Sequence, residues 1–118
     1  MPMTPPYELI VTIVNRGFTD DVMDAARSQG AGGGTVLHAR GSGIHEAEKF
    51  FGVSIQPEKE IVLVVVQRAR KQAVMQAICT AAGLFTEGRG MSFSLPVDEV
   101  AGIVHWQQVD EQAPAPPR

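Results

Sequence analysis

The sequence predicts an α+β sandwich, a four-stranded antiparallel sheet carrying two helices on one face. Three observations point to it. Two segments rich in β-branched residues, Tyr7–Val14 and Ile61–Val66, each precede a stretch with helical apolar spacing. Each of those stretches stops at a glycine, Gly30 or Gly83, and a further extended segment follows. Composition agrees: the 118 residues are 44% hydrophobic and 19% charged, as in an ordinary folded domain. Aromatics are only 6%, so the core has to be aliphatic.

Tyr7–Val14 (YELIVTIV) reads as the first strand. A helix follows. Thr19 is placed to cap its free amides, and Asp20 and Asp21 suit the positive end of its dipole. Phe18 and Met23 have the spacing of a hydrophobic staple, and Val22, Met23 and Ala26 form the apolar stripe up to Gly30. Gly34–Arg40 (GTVLHAR) returns as a strand. Ile61–Val66 (IVLVVV) is apolar at every residue and reads as a strand buried on both faces. Gln72–Ala82 holds Val74, Met75, Ile78 and Ala82 at helical spacing. Met91–Leu95 (MSFSL) alternates apolar and polar, and Pro96 is expected to end it. Val97–Trp106 is short and irregular.

This order, β-α-β-loop-β-α-β, is the ferredoxin-like split arrangement. Helices cover one sheet face only. The second face, to which Ile10 and Val14 are assigned together with Ile61–Val66, then needs another cover, and a homo-oligomer is the simplest. Residues 1–6 and the proline-rich stretch 107–118 (QQVDEQAPAPPR) have little to bury and are expected to be disordered, leaving one domain over 7–106.

Net charge is −3 and the isoelectric point about 5.5, which argues against nucleic acid. No apolar run is long enough for a membrane span. The single cysteine, Cys79, makes no internal disulfide and falls beside the second helix's apolar stripe, so a buried thiol and a cytoplasmic setting are expected. The histidines His38, His45 and His105 share no metal-ligand spacing. Asp98 and Glu99 read as turn residues, and Arg68, Arg70 and Lys71 as a basic turn that is either solvated or the rim of an anion site. Nothing in the spacing offers a Ser–His–Asp or Cys–His arrangement, so no enzyme is expected.

Two features remain. The first is the connection Gly41–Lys59, nineteen residues where a hairpin would need about two to five. It holds Phe50 and Phe51 beside His45, Glu46, Glu48 and Lys49. It reads either as a short helical turn, His45–Phe51, closed by Gly52, or as an arm that closes on a ligand or a partner. The second is glycine: Gly30–Gly34 before the second strand, Gly41-Ser42-Gly43 after it, and Gly88-Arg89-Gly90 before the last. Glycine lets backbone amides approach an anion closely. No Walker or Rossmann pattern is present.

Together these stretches carry a resemblance. Gly30–Gly43 (GAGGGTVLHARGSG) resembles the segment leading into the T-loop of PII-type signal-transduction proteins, the nitrogen regulatory protein P-II superfamily. Gly88–Val100 (GRGMSFSLPVDEV) is similar to their glycine turn and following strand. The resemblance covers Tyr7 to about Val104 in the right order of elements. It implies a homotrimer with nucleotide-binding clefts between subunits, and a T-loop-like segment at 42–59. The ligand residues it implies are Thr35, Gly41, Ser42, Gly43, Val64, Gly88, Arg89 and Gly90. His45, Glu46, Glu48, Phe50 and Phe51 would then form a partner-binding loop.

The charged parts of the family site differ. The lysine after the phosphate turn is Met91, the basic pair near the last strand falls on Gly102 and Val104, and the residues opening the T-loop are Ile44 and His45. Arg89 is the one new cation. Charge-assisted bonds contribute about 1.5–3 kcal/mol each, so these losses point away from ATP held in the usual way. A less charged adenine nucleotide or another small anion fits better. The only tyrosine, Tyr7, lies on the first strand, which excludes regulation through a loop tyrosine. The expectation is a PII-like regulator that binds a small effector and acts on a target protein, with a membrane transporter as the first candidate. The alternatives are a ligand-independent interaction module and, more weakly, a metal-binding trimer using His45 with Glu46 and Glu48.

Overall fold

A computed structural model describes residues 6–41, 48–50, 53–55 and 57–102. The elements are β1 (Tyr7–Asn15), α1 (Thr19–Ser28), β2 (Thr35–Arg40), β3 (Glu48–Phe50), β4 (Val53–Ile55), β5 (Glu58–Gln67), α2 (Lys71–Ala82) and β6 (Gly90–Val97), with a 3-10 turn at Arg68–Arg70. The four long strands form one sheet in the order β2-β5-β1-β6, with every neighbouring pair antiparallel. This is the ferredoxin-like arrangement, with both helices over one face.

Strand pleating assigns the two faces. Ile10 and Val14 of β1 lie with Val62, Val64 and Val66 of β5 against Val22, Val74 and Ile78 of the helices, all at 1% exposure or less. Each such side chain, fully buried, contributes about 1.5–3 kcal/mol. Ile10 and Val14 therefore belong to the helix side, not to the second face assigned to them from sequence. The second face is built from the intervening residues: Leu9, Val11 and Ile13 on β1, and Ile61, Leu63 and Val65 on β5. At its margins Leu37, Met91, Phe93 and Leu95 are exposed, between 39% and 55%. Among the described residues, no helix lies over it.

The helix ends are tied differently from the sequence expectation. Thr19 does not cap α1. Phe18 occupies the cap position without a side-chain bond, and the Thr19 hydroxyl donates instead to Glu60 of β5. The amide of Gly17 donates to the same Glu60 oxygen at 3.2 Å. A carboxylate from the neighbouring strand thus serves the positive end of the helix. Its Oε2 lies 3.6 Å from His38 Nδ1. The hydrogen bond from Thr19, then that from Gly17, holds the Glu60 carboxyl below its ordinary pKa against the opposing effect of burial.

The basic turn is not merely solvated. Arg68 pairs with Glu8, which is 4% exposed, and Lys71 Nζ lies 3.7 Å from the same carboxylate. Arg70 donates from Nε and Nη2 to the Gln29 carbonyl at the end of α1, at 3.2 and 3.0 Å. These three cations fasten α2 to β1 and α1. Gly83 stops α2 with φ +68°, as expected, and Gly30 follows α1 with φ +101°. Cys79 is half-buried, and desolvation raises its thiol pKa. Pro96 does not end β6. The strand runs on to Val97 at the sheet edge, where the missing N–H costs no ladder bond.

Two predictions follow from these contacts. At Gly90 (φ +137°) an added Cβ would lie 2.2 Å from the Ile13 carbonyl oxygen, whereas at Gly88 (φ +83°) it would meet nothing within 4 Å. Gly90→Ala should therefore destabilise the chain by several times the ~1–2 kcal/mol backbone cost of Gly88→Ala, measured by urea denaturation. Because the folded pKa of Glu60 is depressed, its contribution is present above the ordinary glutamate value and lost as pH falls through the folded one. Thr19→Val removes the largest cause of that shift, so the variant should lose less stability than the wild type between neutral and acid pH. Equal losses in paired thermal melts would refute it.

Candidate functional site

The candidate site lies at the end of the sheet where β1 and β2 finish and β5 and β6 begin. The glycine turn before β6 is held from three sides. The amide of Thr86 donates to the Gly83 carbonyl at 3.0 Å and that of Arg89 to the Thr86 carbonyl at 3.3 Å, winding the chain out of α2. Asn15 Nδ2, at the end of β1, donates to the Gly88 carbonyl at 3.0 Å. Gly90 then lies flat on β1, where no larger residue fits.

Arg89 projects from this turn back over the body. Its guanidinium carbon stands 4.3 Å from the centroid of the Phe18 ring, a cation–π contact. It also leans on Gly83, where an added Cβ would be 3.6 Å from that carbon. Its Nε is buried with no hydrogen-bond partner among the described residues, leaving a donor to be satisfied. Beyond the turn, Met91 is 55% exposed on the helix-free face, and Phe85 just before it is 75% exposed.

On the opposite edge, β2 is set close to β5 by Gly34. A Cβ there would meet Met23 Sδ at 2.8 Å and the Leu63 carbonyl at 3.1 Å, so only glycine allows the approach. Thr35 follows directly and is exposed. Val64 is placed otherwise: it is 1% exposed and lies in the core on the helix side, beside Gly34. At the far end of β2, the amide of Gly41 donates to the Pro57 carbonyl at 3.3 Å and closes the base of the long connection. The start of β5 is also joined to β1, since Arg16 donates from its amide and its guanidinium to Glu58 at 3.2–3.3 Å.

The long connection corrects one reading. Glu48–Phe50 is extended and pairs antiparallel with Val53–Ile55, so a helical turn over His45–Phe51 is not formed there. Ser42, Gly43, His45, Glu46 and Phe51 lie outside the described residues. Among the described residues, no group of three His, Cys, Asp or Glu side chains could hold a metal, and no helix is long and apolar enough to cross a membrane.

Thr35 and Gly41 thus occupy one edge strand, and Gly88, Arg89 and Gly90 lead into the other. Two strands stand between the edges, a span of about 14 Å. Sequence reasoning missed Asn15 and Lys59. Lys59 is 8% exposed, and its ammonium donates to Asn15 Oδ1 at 2.5 Å. In sequence this lysine falls at the end of the Gly41–Lys59 connection, whereas the structure places it in β5, which begins at Glu58. The strand register pairs it with Asn15.

A family model for nitrogen regulatory protein P-II matches residues 7–105. Among solved structures the chain is similar to a crystal structure of Arabidopsis thaliana PII bound to citrate. The two share 25% sequence identity with a TM-score of 0.68, over 85% of each chain. No curated protein matches the chain in sequence. The family match runs from the first residue of β1 through the glycine turn and past β6: the chain belongs to the nitrogen regulatory protein P-II family.

Proposed function

We propose that this protein is a signalling regulator, not a catalyst. In this reading it assembles as a homotrimer, binds a small anionic effector in the clefts between subunits, and controls a target protein through the 42–59 segment. The observation that carries the proposal is the split of the site. Its two glycine-bearing parts lie at one end of the sheet but on opposite edges, beside an apolar face with no helix over it. A single chain does not bring the two parts together, whereas neighbouring copies packed through that face can set one subunit's β2 edge beside the next subunit's β6 edge. Two concavities of the single chain lie elsewhere. One is between the helices around Ala25, Ala77 and Ala81, the other around Tyr7 and Val97–Ala101.

The effector's chemistry follows from what the turn offers. Arg89 supplies one cation with an unmet donor, and the turn supplies backbone amides. Met91 stands where the family lysine would add a second charge. Exposed Phe85 and Met91 give apolar surface beside them. A mononucleotide such as AMP or a cyclic adenine nucleotide meets this set better than a triphosphate. A carboxylate anion is the other class, in keeping with the citrate bound to the Arabidopsis relative. The target engaged by His45, Glu46, Glu48, Phe50 and Phe51 is a partner protein, with a membrane transporter as first candidate.

Thermal-shift measurements with ATP, ADP, AMP, cyclic AMP, citrate and bicarbonate test the sensing function. At least one should raise the melting temperature, the shift should vanish in Arg89→Ala, and it should persist when residues 44–56 are removed. No shift with any compound would leave the ligand-independent interaction module as the reading. Light scattering tests the assembly. The wild type should have three times the chain mass, and Val11→Glu, which places a charge in the centre of the helix-free face, should be monomeric.

A further inference from the structure

The hydrogen bonds around Asn15 form a path from one part of this end of the sheet to another. Asn15 closes β1 and is in register with Lys59, while its neighbour Val14 is in register with Gly90. Its side-chain amide faces both ways: Oδ1 accepts from the Lys59 ammonium and Nδ2 donates to the Gly88 carbonyl. Chemistry fixes that orientation, because an ammonium only donates and a carbonyl only accepts. An aspartate here could serve the lysine but not the turn.

Both ends of the path use the contact. Lys59 is 8% exposed, and a desolvated ammonium requires acceptors. Gly88 has φ +83° and open space about its α-carbon, so little else fixes the orientation of the peptide it shares with Arg89. That peptide is held by its carbonyl on Asn15 and its N–H on the Thr86 carbonyl.

We propose that Asn15 is a positioning residue that couples the Gly88–Gly90 turn to the start of β5, where the chain returns from the long connection. An anion that recruits the Arg89 N–H has to rotate the Gly88–Arg89 peptide. Rotation turns the Gly88 carbonyl away from Asn15 and frees the amide that orients Lys59. Strain at the start of β5 acts on the turn through the same bonds in reverse. The regulatory meaning rests on the turn being the effector site, as read above, while the coupling itself does not.

Residue-resolved amide exchange on the full, ligand-free chain tests the coupling. Lys59→Met should speed exchange of the Arg89 amide about fivefold, the loss of roughly one hydrogen bond, and should have no further effect in an Asn15→Ala background. Asn15→Asp, which keeps the acceptor for Lys59 but loses the donor, should speed the Arg89 amide while leaving the β1–β5 ladder amides at wild-type rates. An unchanged Arg89 amide in Lys59→Met, or an equal acceleration with and without Asn15, would overturn the proposal. If Lys59→Met does not fold by circular dichroism, Asn15→Asp decides alone, and an unchanged Arg89 amide there overturns it. None of these measurements needs an effector, so a protein that responds to no compound in the thermal-shift series still decides the coupling.

Discussion

The pairing of β1 with β5 is the constraint on which the rest of the structure depends. Nine residues of β1 meet nine of β5 in unbroken antiparallel register, from Tyr7 opposite Gln67 to Asn15 opposite Lys59. These are the two inner strands, so their alternation sets both faces. One set of side chains builds the valine and isoleucine core under the helices. The other builds an apolar face with no helix over it. A slip of one residue would exchange the sets and place Glu8 and Thr12 on the helix-free side.

The same register places the polar contacts at the two ends of the sheet. At one end Glu8 is buried under Arg68 and Lys71, and Arg70 reaches the last turn of α1, so charges fasten the helix layer. At the other end Glu60 serves the start of α1 and Lys59 is tied to Asn15. Glu58, Lys59 and Glu60 are neighbours in sequence but have three separate partners, because adjacent strand residues face opposite sides and the terminal one meets solvent.

Much of the fold was legible from local pattern. Ile61–Val66, apolar at every residue, reads as a strand buried on both faces, and Gly30 and Gly83 mark helix ends because left-handed backbone is cheap only for glycine. Gly88 and Gly90 of the candidate site, also at positive φ, were legible for the same reason. Where local reading failed, a distant residue had intervened. Thr19 is a good cap by type but is drawn to Glu60, and Arg68 reads as solvated until Glu8 is brought against it from β1. Ile10 and Val14 lie on the helix side rather than the second face, because a single strand's alternation does not say which side the helices take.

The sequence by itself determined the order of the four long strands and two helices, the helix stops, the aliphatic core and the family-like glycine turns, all properties of residues near one another in the chain; it did not show the β3–β4 pair. Tertiary structure decided which face the helices cover, which carboxylate serves α1, and that Gly41 and Gly88–Gly90 stand on opposite edges of one sheet end. It also decided that Asn15 joins Lys59 to the glycine turn. The physical reason is common to all four. A hydrogen bond or an apolar contact is selected by which groups the strand register brings within a few ångströms, and here those groups lie more than forty residues apart in the chain.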